Sequence, residues 1–361
     1  MRVLQLINSL ATGGAEKLLL ESLPYYNEKG IKMDILVLND QDYPFMEKLK
    51  AQNCCDIFIL GKGSVYNPVN IFRIIPYLKT YDIIHVHLFP AQYWAVIAKL
   101  ISFSRAKLIF TEHNTYNRRM SNALFRFCDR IIYSRYEKIV CITAEVKSIL
   151  KKHIGSKKDK LSVIENGVNI ASIVNAAPYQ KGTIDFIDEN DVVVIQVAAF
   201  REQKDQPTLI KAMHLLPGNY KLLLVGDGTF RADCESLAKE LNLEQRVHFF
   251  GLRMDVANLL KTADIVVLSS KYEGLSLSSI EGMAAGKPFI ASDVPGLSEI
   301  VKDSGMLFKQ GDAEELASNI KNLMQDQILY KKVAEACQAK AYEYDLSKMV
   351  AAYMHLYNKL C

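Results

Sequence analysis

The sequence predicts an α/β protein made of two doubly wound, parallel-sheet domains. Short apolar runs rich in β-branched residues recur along its 361 residues, at the length of buried strands. Helical segments lie between most of them, and a β-α-β rhythm implies a parallel sheet. A polar stretch of small residues at 171–190, with Pro178 and Gly182, interrupts the series and reads as a linker. The chain is long enough for two cores of ordinary size. The expected division is 1–170, a linker at 171–190, and 191–342, with a further helix at about 343–361.

In the first half, Arg2 to Asn8 is a strand, and Gly13 and Gly14 lie in the turn that leads to the helix LLLESLPYY. Glycines there let backbone approach a ligand at a helix start, or simply allow a tight strand-to-helix turn. MRVLQLINSL carries one positive charge and a short apolar run, so it reads as a strand and not as a signal peptide. MDILVL, CDIFIL, DIIHVH, KLIFTEH, KIVCIT and LSVIENGV continue the strands. Ligand-facing groups of a doubly wound sheet belong at the carboxyl ends of its strands. His85, His87, Glu112, His113 and Asn114 fall at such ends. H-x-H on a strand puts His85 and His87 on one face, where hydrogen-bonded packing explains them without a metal.

Tyr116 to Lys138 holds Arg118, Arg119, Arg126, Arg130, Arg135 and Lys138 against Asp129 and Glu137. Leu124, Phe127, Cys128 and Ile131 supply an apolar face at helical spacing. Two readings stand: a basic amphipathic helix resting on anionic lipid, or a core-facing helix with a solvated basic side.

The second half runs through DVVVIQVAAF, KLLLVG, VHFFG, ADIVVLSS and PFIAS as strands. VGDGTFR, with Gly226 and Gly228, begins like a dinucleotide fingerprint, but Arg231 replaces the third glycine, which makes it weak evidence for a nicotinamide cofactor. Arg201 and Lys204 lie between a strand and a helix, placed to clamp a diphosphate or to remain solvated loop charges. From Ala313 the chain is helical, with Ser347 as the candidate cap of the last helix.

Composition narrows the classes. The net charge of +4 hides an asymmetry: residues 1–180 carry 24 Lys and Arg against 15 Asp and Glu, and residues 181–361 carry 20 against 25. A basic first half fits contact with an anionic surface. Seven scattered cysteines without C-x-x-C spacing indicate neither zinc nor a disulfide framework, so a cytoplasmic location is expected. No apolar run approaches the roughly 18–20 residues that span a bilayer, and no nucleic-acid partner is expected.

The most informative stretch is Ser269 to Glu299, SSKYEGLSLSSIEGMAAGKPFIASDVPGLSE. Gly274 turns the chain after a strand, Ser276 or Ser278 can cap a helix to about Ala285, and Gly286 and Pro288 end it. A strand end, a turn and a helix N-terminus make an anion site, while carboxylates accept sugar hydroxyls. On spacing alone, Glu273 and Glu281 are equally solvated helix-end charges. The stretch, however, resembles the Glu-x7-Glu signature of the group 1 (family 4) retaining glycosyltransferases. The match continues through the Gly-Lys-Pro turn and the Asp-Val-Pro-Gly loop. Gly13-Gly14-Ala15-Glu16, Thr-Glu-His113, the Asn-Gly turn at 166–167 and Gly-Asp-Gly at 226–228 are similar to further elements of that family.

The resemblance implies the GT-B fold, two Rossmann-like domains with a cleft between them, the last helix returning to the first domain. It implies retaining transfer of a hexosyl group from a UDP- or GDP-linked donor to the hydroxyl of a glycan or lipid-linked acceptor, in polysaccharide or glycolipid biosynthesis. Glu281 would bind the ribose, and Glu273 with the Gly274-Leu275 backbone the donor sugar. Lys204 would hold the diphosphate, His113 would face the sugar or acceptor, and Gly13, Gly14 and Leu252 would complete the donor site. Catalytic roles fall to His113, Glu273 and Lys204, with no cofactor and no obligatory metal. The family's arginine five residues before the lysine is replaced by Ala199, and Arg201 is the candidate substitute. The other readings are a nucleotide-sugar epimerase or phosphorylase and a non-catalytic sugar-nucleotide-binding protein. If the basic helix meets lipid, the protein is peripheral on the inner face of the plasma membrane.

Overall fold

Strands that are apolar on both faces must be covered by helices on both sides, and the chain does this twice. The structure, a computed structural model, describes residues 1–114, 122–155 and 160–360. It divides into two units, residues 1–167 with 346–361, and residues 168–345.

The first unit holds β1 (Arg2–Ile7), α1 (Gly14–Glu28), β2 (Lys32–Val37), α2 (Pro44–Gln52), β3 (Ile57–Ile59), α3 (Val69–Leu78) and β4 (Ile83–His87). It continues with α4 (Ala91–Ser102), β5 (Lys107–Glu112), α5 (Ala123–Ser134), β6 (Lys138–Cys141), α6 (Ala144–Ile154) and β7 (Leu161–Val163). The strands form one sheet in the order β3-β2-β1-β4-β5-β6-β7, every pairing parallel. The order reverses between β1 and β4, which opens a crevice at their carboxyl ends.

The second unit contains α7 (Ile170–Val174), β8 (Val192–Val197), α8 (Gln206–His214), β9 (Tyr220–Val225), α9 (Arg231–Glu240), β10 (Val247–Gly251) and α10 (Val256–Thr262). Then come β11 (Ile265–Leu268), α11 (Leu277–Ala284), β12 (Phe289–Ser292), α12 (Ser298–Val301), β13 (Met306–Phe308), α13 (Ala313–Gln325) and α14 (Gln327–Ala341). Its sheet runs β10-β9-β8-β11-β12-β13, again parallel, with the reversal between β8 and β11.

The final helix, α15 (Leu346–Leu360), belongs to the first unit. Val350, Tyr353 and Tyr357 pack in one core with Leu18, Leu19 and Tyr26 of α1 and with Val3 and Ile35. Each such buried side chain contributes about 1.5–3 kcal/mol, so the last helix is part of the first unit's core. The helix starts at Leu346, one residue ahead of Ser347, which therefore lies inside the first turn and is not its cap. The division between units falls at Gly167 and Val168. A side chain at 167 would come within 2.6 Å of the Leu346 backbone, so only glycine fits there. Residues 171–190, read above as a linker, carry most of α7 and belong to the second unit.

The basic segment departs from one of the two sequence readings, the core-facing helix. Arg118 and Arg119 lie outside the described residues. In α5 the side that faces inward is Asp129, Ile132 and Tyr133, because Asp129 is bonded by Tyr93 at 2.6 Å and His153 at 2.8 Å. The presumed core face, Leu124 (71 % exposed), Phe127 (63 %) and Ile131 (43 %), points outward.

Candidate active site

In the second unit the loop after β11 and the loop after β8 meet at the strand-order reversal. Ser269 fastens them, its single hydroxyl proton shared between Gln196 Oε1 on β8 at 2.9 Å and the Asp205 carbonyl oxygen at 2.8 Å. Gln196 Nε2 donates to the Lys204 carbonyl at 3.0 Å. These bonds bring Lys204 over Glu273: Lys204 Nζ donates to Glu273 Oε1 at 2.5 Å, and Ser270 Oγ donates to the same oxygen at 2.5 Å. Both charges are largely withdrawn from water, with 18 % and 7 % of their side chains exposed, so each depends on the other for compensation.

The backbone carrying Glu273 is held from behind. Its N–H donates to the Pro295 carbonyl at 3.3 Å. Gly296, at φ +83°, packs so closely that a β-carbon would lie 2.2 Å from the Glu273 carbonyl oxygen. The Asp-Val-Pro-Gly loop is thus a backbone support for the Glu273-Gly274 turn. Ser276, not Ser278, caps α11 by accepting from the Ser279 N–H. Gly274 and Leu275 lie in this turn, and Glu281 is buried on α11.

Gly226 and Gly228 have a packing role. β-Carbons at these positions would meet the carbonyl oxygens of Ala198 and Phe200 at 2.1 and 2.3 Å. The Gly-Asp-Gly turn therefore clasps the loop leading to Lys204. Arg201 is exposed, and among the described residues its guanidinium has no partner. Ala199 is exposed in the loop after β8, and Leu252 is 53 % exposed after β10.

In the first unit, α1 starts at Gly14 with Gly13 as its cap residue. A β-carbon at Gly13 would meet the folded-back Glu16 carboxylate. His85, His87 and His113 converge at the carboxyl ends of β4 and β5. His87 Nδ1 lies 3.0 Å from His113 Nε2, and His87 Nε2 lies 2.8 Å from Gln5 Oε1. His85 bonds the Tyr357 hydroxyl and Thr111 Oγ1, both at 2.7 Å. Burial pushes His113 down to about 4 and His85 to about 3. Burial, then the His85 and His113 neighbours, hold His87 well below the usual imidazole range. All three are neutral at pH 7. Glu112 is turned away from His113, accepting from the Tyr133 hydroxyl at 2.6 Å and the Asn114 N–H at 3.1 Å. The structure thus gathers Lys204 and Glu273 in one unit, and His113 with His87 and Gln5 of β1 in the other. Gln5 and Ser270 were missed in the sequence, since each looks like an ordinary polar residue within or beside an apolar strand.

Among the described residues no group of three or more His, Cys, Asp or Glu could hold a metal ion. Two parallel doubly wound sheets, each with a loop cluster at its order reversal, define an α/β protein whose ligands belong at the carboxyl ends of its strands. Comparison makes this specific. Residues 12–172 match the model of Glycosyltransferase Family 4, and residues 183–342 match that of Glycosyl transferases group 1. The chain belongs to the group 1 (family 4) glycosyltransferases. It is 29 % identical over 289 residues to the N-acetyl-alpha-D-glucosaminyl L-malate synthase of Bacillus anthracis, covering 76 % of this chain and 74 % of that protein. It is 23 % identical over 364 residues to the Campylobacter jejuni N-acetylgalactosamine-N,N'-diacetylbacillosaminyl-diphospho-undecaprenol 4-alpha-N-acetylgalactosaminyltransferase, covering 95 % of each. The crystal structure of Anabaena HepE in complex with UDP and glucose superimposes with a TM-score of 0.86 at 21 % identity, over 99 % of both chains. The fold is GT-B, with two Rossmann-like domains.

Proposed function

We propose that this glycosyltransferase moves a hexosyl group, with retention, from a UDP- or GDP-linked donor to an acceptor hydroxyl. The observation that carries the reading is the Lys204–Glu273 pair at the strand-order reversal of the second unit. A lysine held there by a carboxylate is a charge kept for an anion. An arriving diphosphate takes Lys204 by charge-assisted hydrogen bonds, and Glu273 is then released to accept the hydroxyls of the donor sugar. Glu281, buried on α11, accepts the ribose hydroxyls, with Leu252 and the Gly274-Leu275 backbone lining the donor. Arg201 supplies the second cation that Ala199 lacks, and Gly13 and Gly14 offer backbone at the start of α1. Charge building on the leaving nucleotide is met by Lys204 as the glycosidic bond breaks. The leaving phosphate assists deprotonation of the acceptor on the same face of the sugar, and His113 contacts the sugar or the acceptor. The reaction in this form needs no cofactor and no metal.

The acceptor is a glycan or lipid-linked glycan in polysaccharide or glycolipid biosynthesis. The C. jejuni relative's name, with its diphospho-undecaprenol acceptor, supports this, as does the outward apolar stripe on α5 flanked by Arg126, Arg130 and Arg135. Such a stripe suits the surface of an anionic bilayer. No described helix is long and apolar enough to cross one.

A thermal-shift panel of UDP- and GDP-sugars tests the donor. A ligand at 100 times its Kd stabilises by about 2.7 kcal/mol, so one base is expected to raise Tm and the other not. No shift with any nucleotide or nucleotide sugar at millimolar concentration overturns the reading.

A further inference from the structure

The polar cluster of the first unit fixes more than the position of His113. Gln5 Nε2 lies 3.1 Å from Met33 Sδ and 3.3 Å from the Tyr357 hydroxyl, while Oε1 faces His87 Nε2 at 2.8 Å. A thioether has no proton to give, so the amide nitrogen must be the group that faces it. Turning the amide over would set a carbonyl oxygen against the sulfur lone pairs. Gln5 Oε1 therefore accepts, and His87 Nε2 carries the proton. A neutral imidazole has a single N–H, which leaves His87 Nδ1 as an acceptor. Its partner at 3.0 Å, His113 Nε2, is then the donor. One nitrogen of His113 remains, Nδ1, bare and without a protein partner among the described residues. Both rings are neutral, because burial holds them below the usual imidazole range.

We propose that Gln5 and His87 are positioning residues that lock His113 in its Nε2–H tautomer, so that its Nδ1 accepts a hydrogen bond from a substrate hydroxyl. The identity of that hydroxyl, on donor sugar or acceptor, rests on the glycosyl-transfer reading. The tautomer does not. A bare imidazole nitrogen welcomes an O–H and repels a phosphate or carboxylate oxygen. His113 thus selects a hydroxylated ligand at this point and cannot serve as a phosphate clamp. The orientation comes from Met33, three contacts away from the ring that uses it.

The direct test is 15N NMR of the full-length protein labelled in histidine, without ligand at pH 7, with the His113 signals assigned from their loss in His113→Gln. Expected are a protonated Nε2 and an unprotonated Nδ1, and the opposite tautomer or an averaged mixture overturns the proposal. Kinetics on two Gln5 variants then separates positioning from packing. Gln5→Leu keeps the volume and removes the acceptor. It should give a mixed tautomer and lower kcat/KM about tenfold, the worth of one hydrogen bond, with affinity for free UDP or GDP unchanged. Gln5→Glu keeps the acceptor and should retain the tautomer and most of the rate. A purely structural Gln5 reverses that order, because burying a carboxylate costs more than burying a leucine. Full activity in Gln5→Leu overturns the positioning role. If no nucleotide sugar turns over at all, the wild-type spectrum still decides the tautomer, and only the assignment of the hydroxyl falls with the glycosyl-transfer reading.

Discussion

The two units have the same sheet plan and opposite polar chemistry at the corresponding point. At its strand-order reversal the first unit gathers Gln5, His87 and His113, bonded in series, and beside them His85, bonded to Tyr357 and Thr111, all uncharged. The second unit places Lys204 against Glu273 there, a charge pair tied by Ser270 and Ser269. Yet the first half of the chain is the basic one and the second the acidic one. Net charge reports the outer helices, such as α5, and not the strand ends, where desolvation decides which groups remain ionised. A neutral cluster suits hydroxyls, and an ion pair suits a ligand that brings its own charge.

The largest expected effect breaks the charged half of that comparison. Glu281→Ala removes the acceptor assigned to two ribose hydroxyls. With hydrogen bonds to charged groups worth about 1.5–3 kcal/mol each, nucleotide affinity should fall roughly a hundredfold in calorimetry while the circular dichroism spectrum stays unchanged. Glu273→Ala should leave free nucleotide affinity near wild type and lower turnover instead. Equal nucleotide affinity in wild type and Glu281→Ala removes the ribose assignment.

A second effect, about tenfold or more, concerns the cations. Lys204→Ala and Arg201→Ala should both weaken donor binding and turnover, Lys204→Ala more. Arg201→Lys should recover only part of the loss, because a point charge does not reproduce a bidentate fork. A wild-type kcat/KM for Arg201→Ala would show that Arg201 does not stand in for the arginine absent at Ala199.

Much of this was readable beforehand, for physical reasons that can be named. Continuous β-branched runs such as IVVL and VVVIQV mark the buried strands, and serines ahead of a small-residue helix narrow its cap to Ser276 or Ser278, of which Ser276 serves. The motif around Glu273 was visible because its glycines and acids keep fixed spacing. Other features had no local signal. β13 is three residues long, too short to show a period. The support from Gly296 and the grip of Gly226 on Ala198 are contacts across the chain. Gln5 lies in an apolar strand, and its meaning depends on Met33, 28 residues away. The outward turn of Leu124 and Phe127 goes against the core-facing reading of α5, because Asp129 finds partners in Tyr93 and His153 and takes the inward side.

That outward turn gives a smaller prediction on the first unit. If α5 meets anionic lipid, liposome binding at low salt should fall about fivefold for Arg126→Ser, since each surface cation is worth about 1 kcal/mol. Phe127→Ser should lower it further, at any salt. Wild-type protein that does not sediment with anionic vesicles, or binding insensitive to both changes, would leave the stripe solvated and end the membrane reading.

The last effect follows from the neutral histidines. An unfolded histidine titrates near 6.5, whereas burial holds His113 at about 4, His85 at about 3 and His87 well below the usual range. Their contribution to stability is full above about pH 6.5. As pH falls from there towards 4, the unfolded chain takes up protons that the folded chain refuses, so stability declines. Below about 4 His113 adds no further loss, and His85 continues to about 3. The second unit has one comparable group, His248, held at about 4 chiefly by burial and stacked on Phe186. Acidification should therefore loosen the first unit sooner. Hydrogen exchange at pH 7 and pH 5, corrected for intrinsic rates, should show greater loss of protection in β4 and β5 than in β11 and β12. His113→Gln should narrow that gap, because it deletes one of the three protons without charging the cluster. Equal loss in both sheets would mean that the three histidines do not control the acid response, and the contrast between a neutral and a charged half would lose its thermodynamic content.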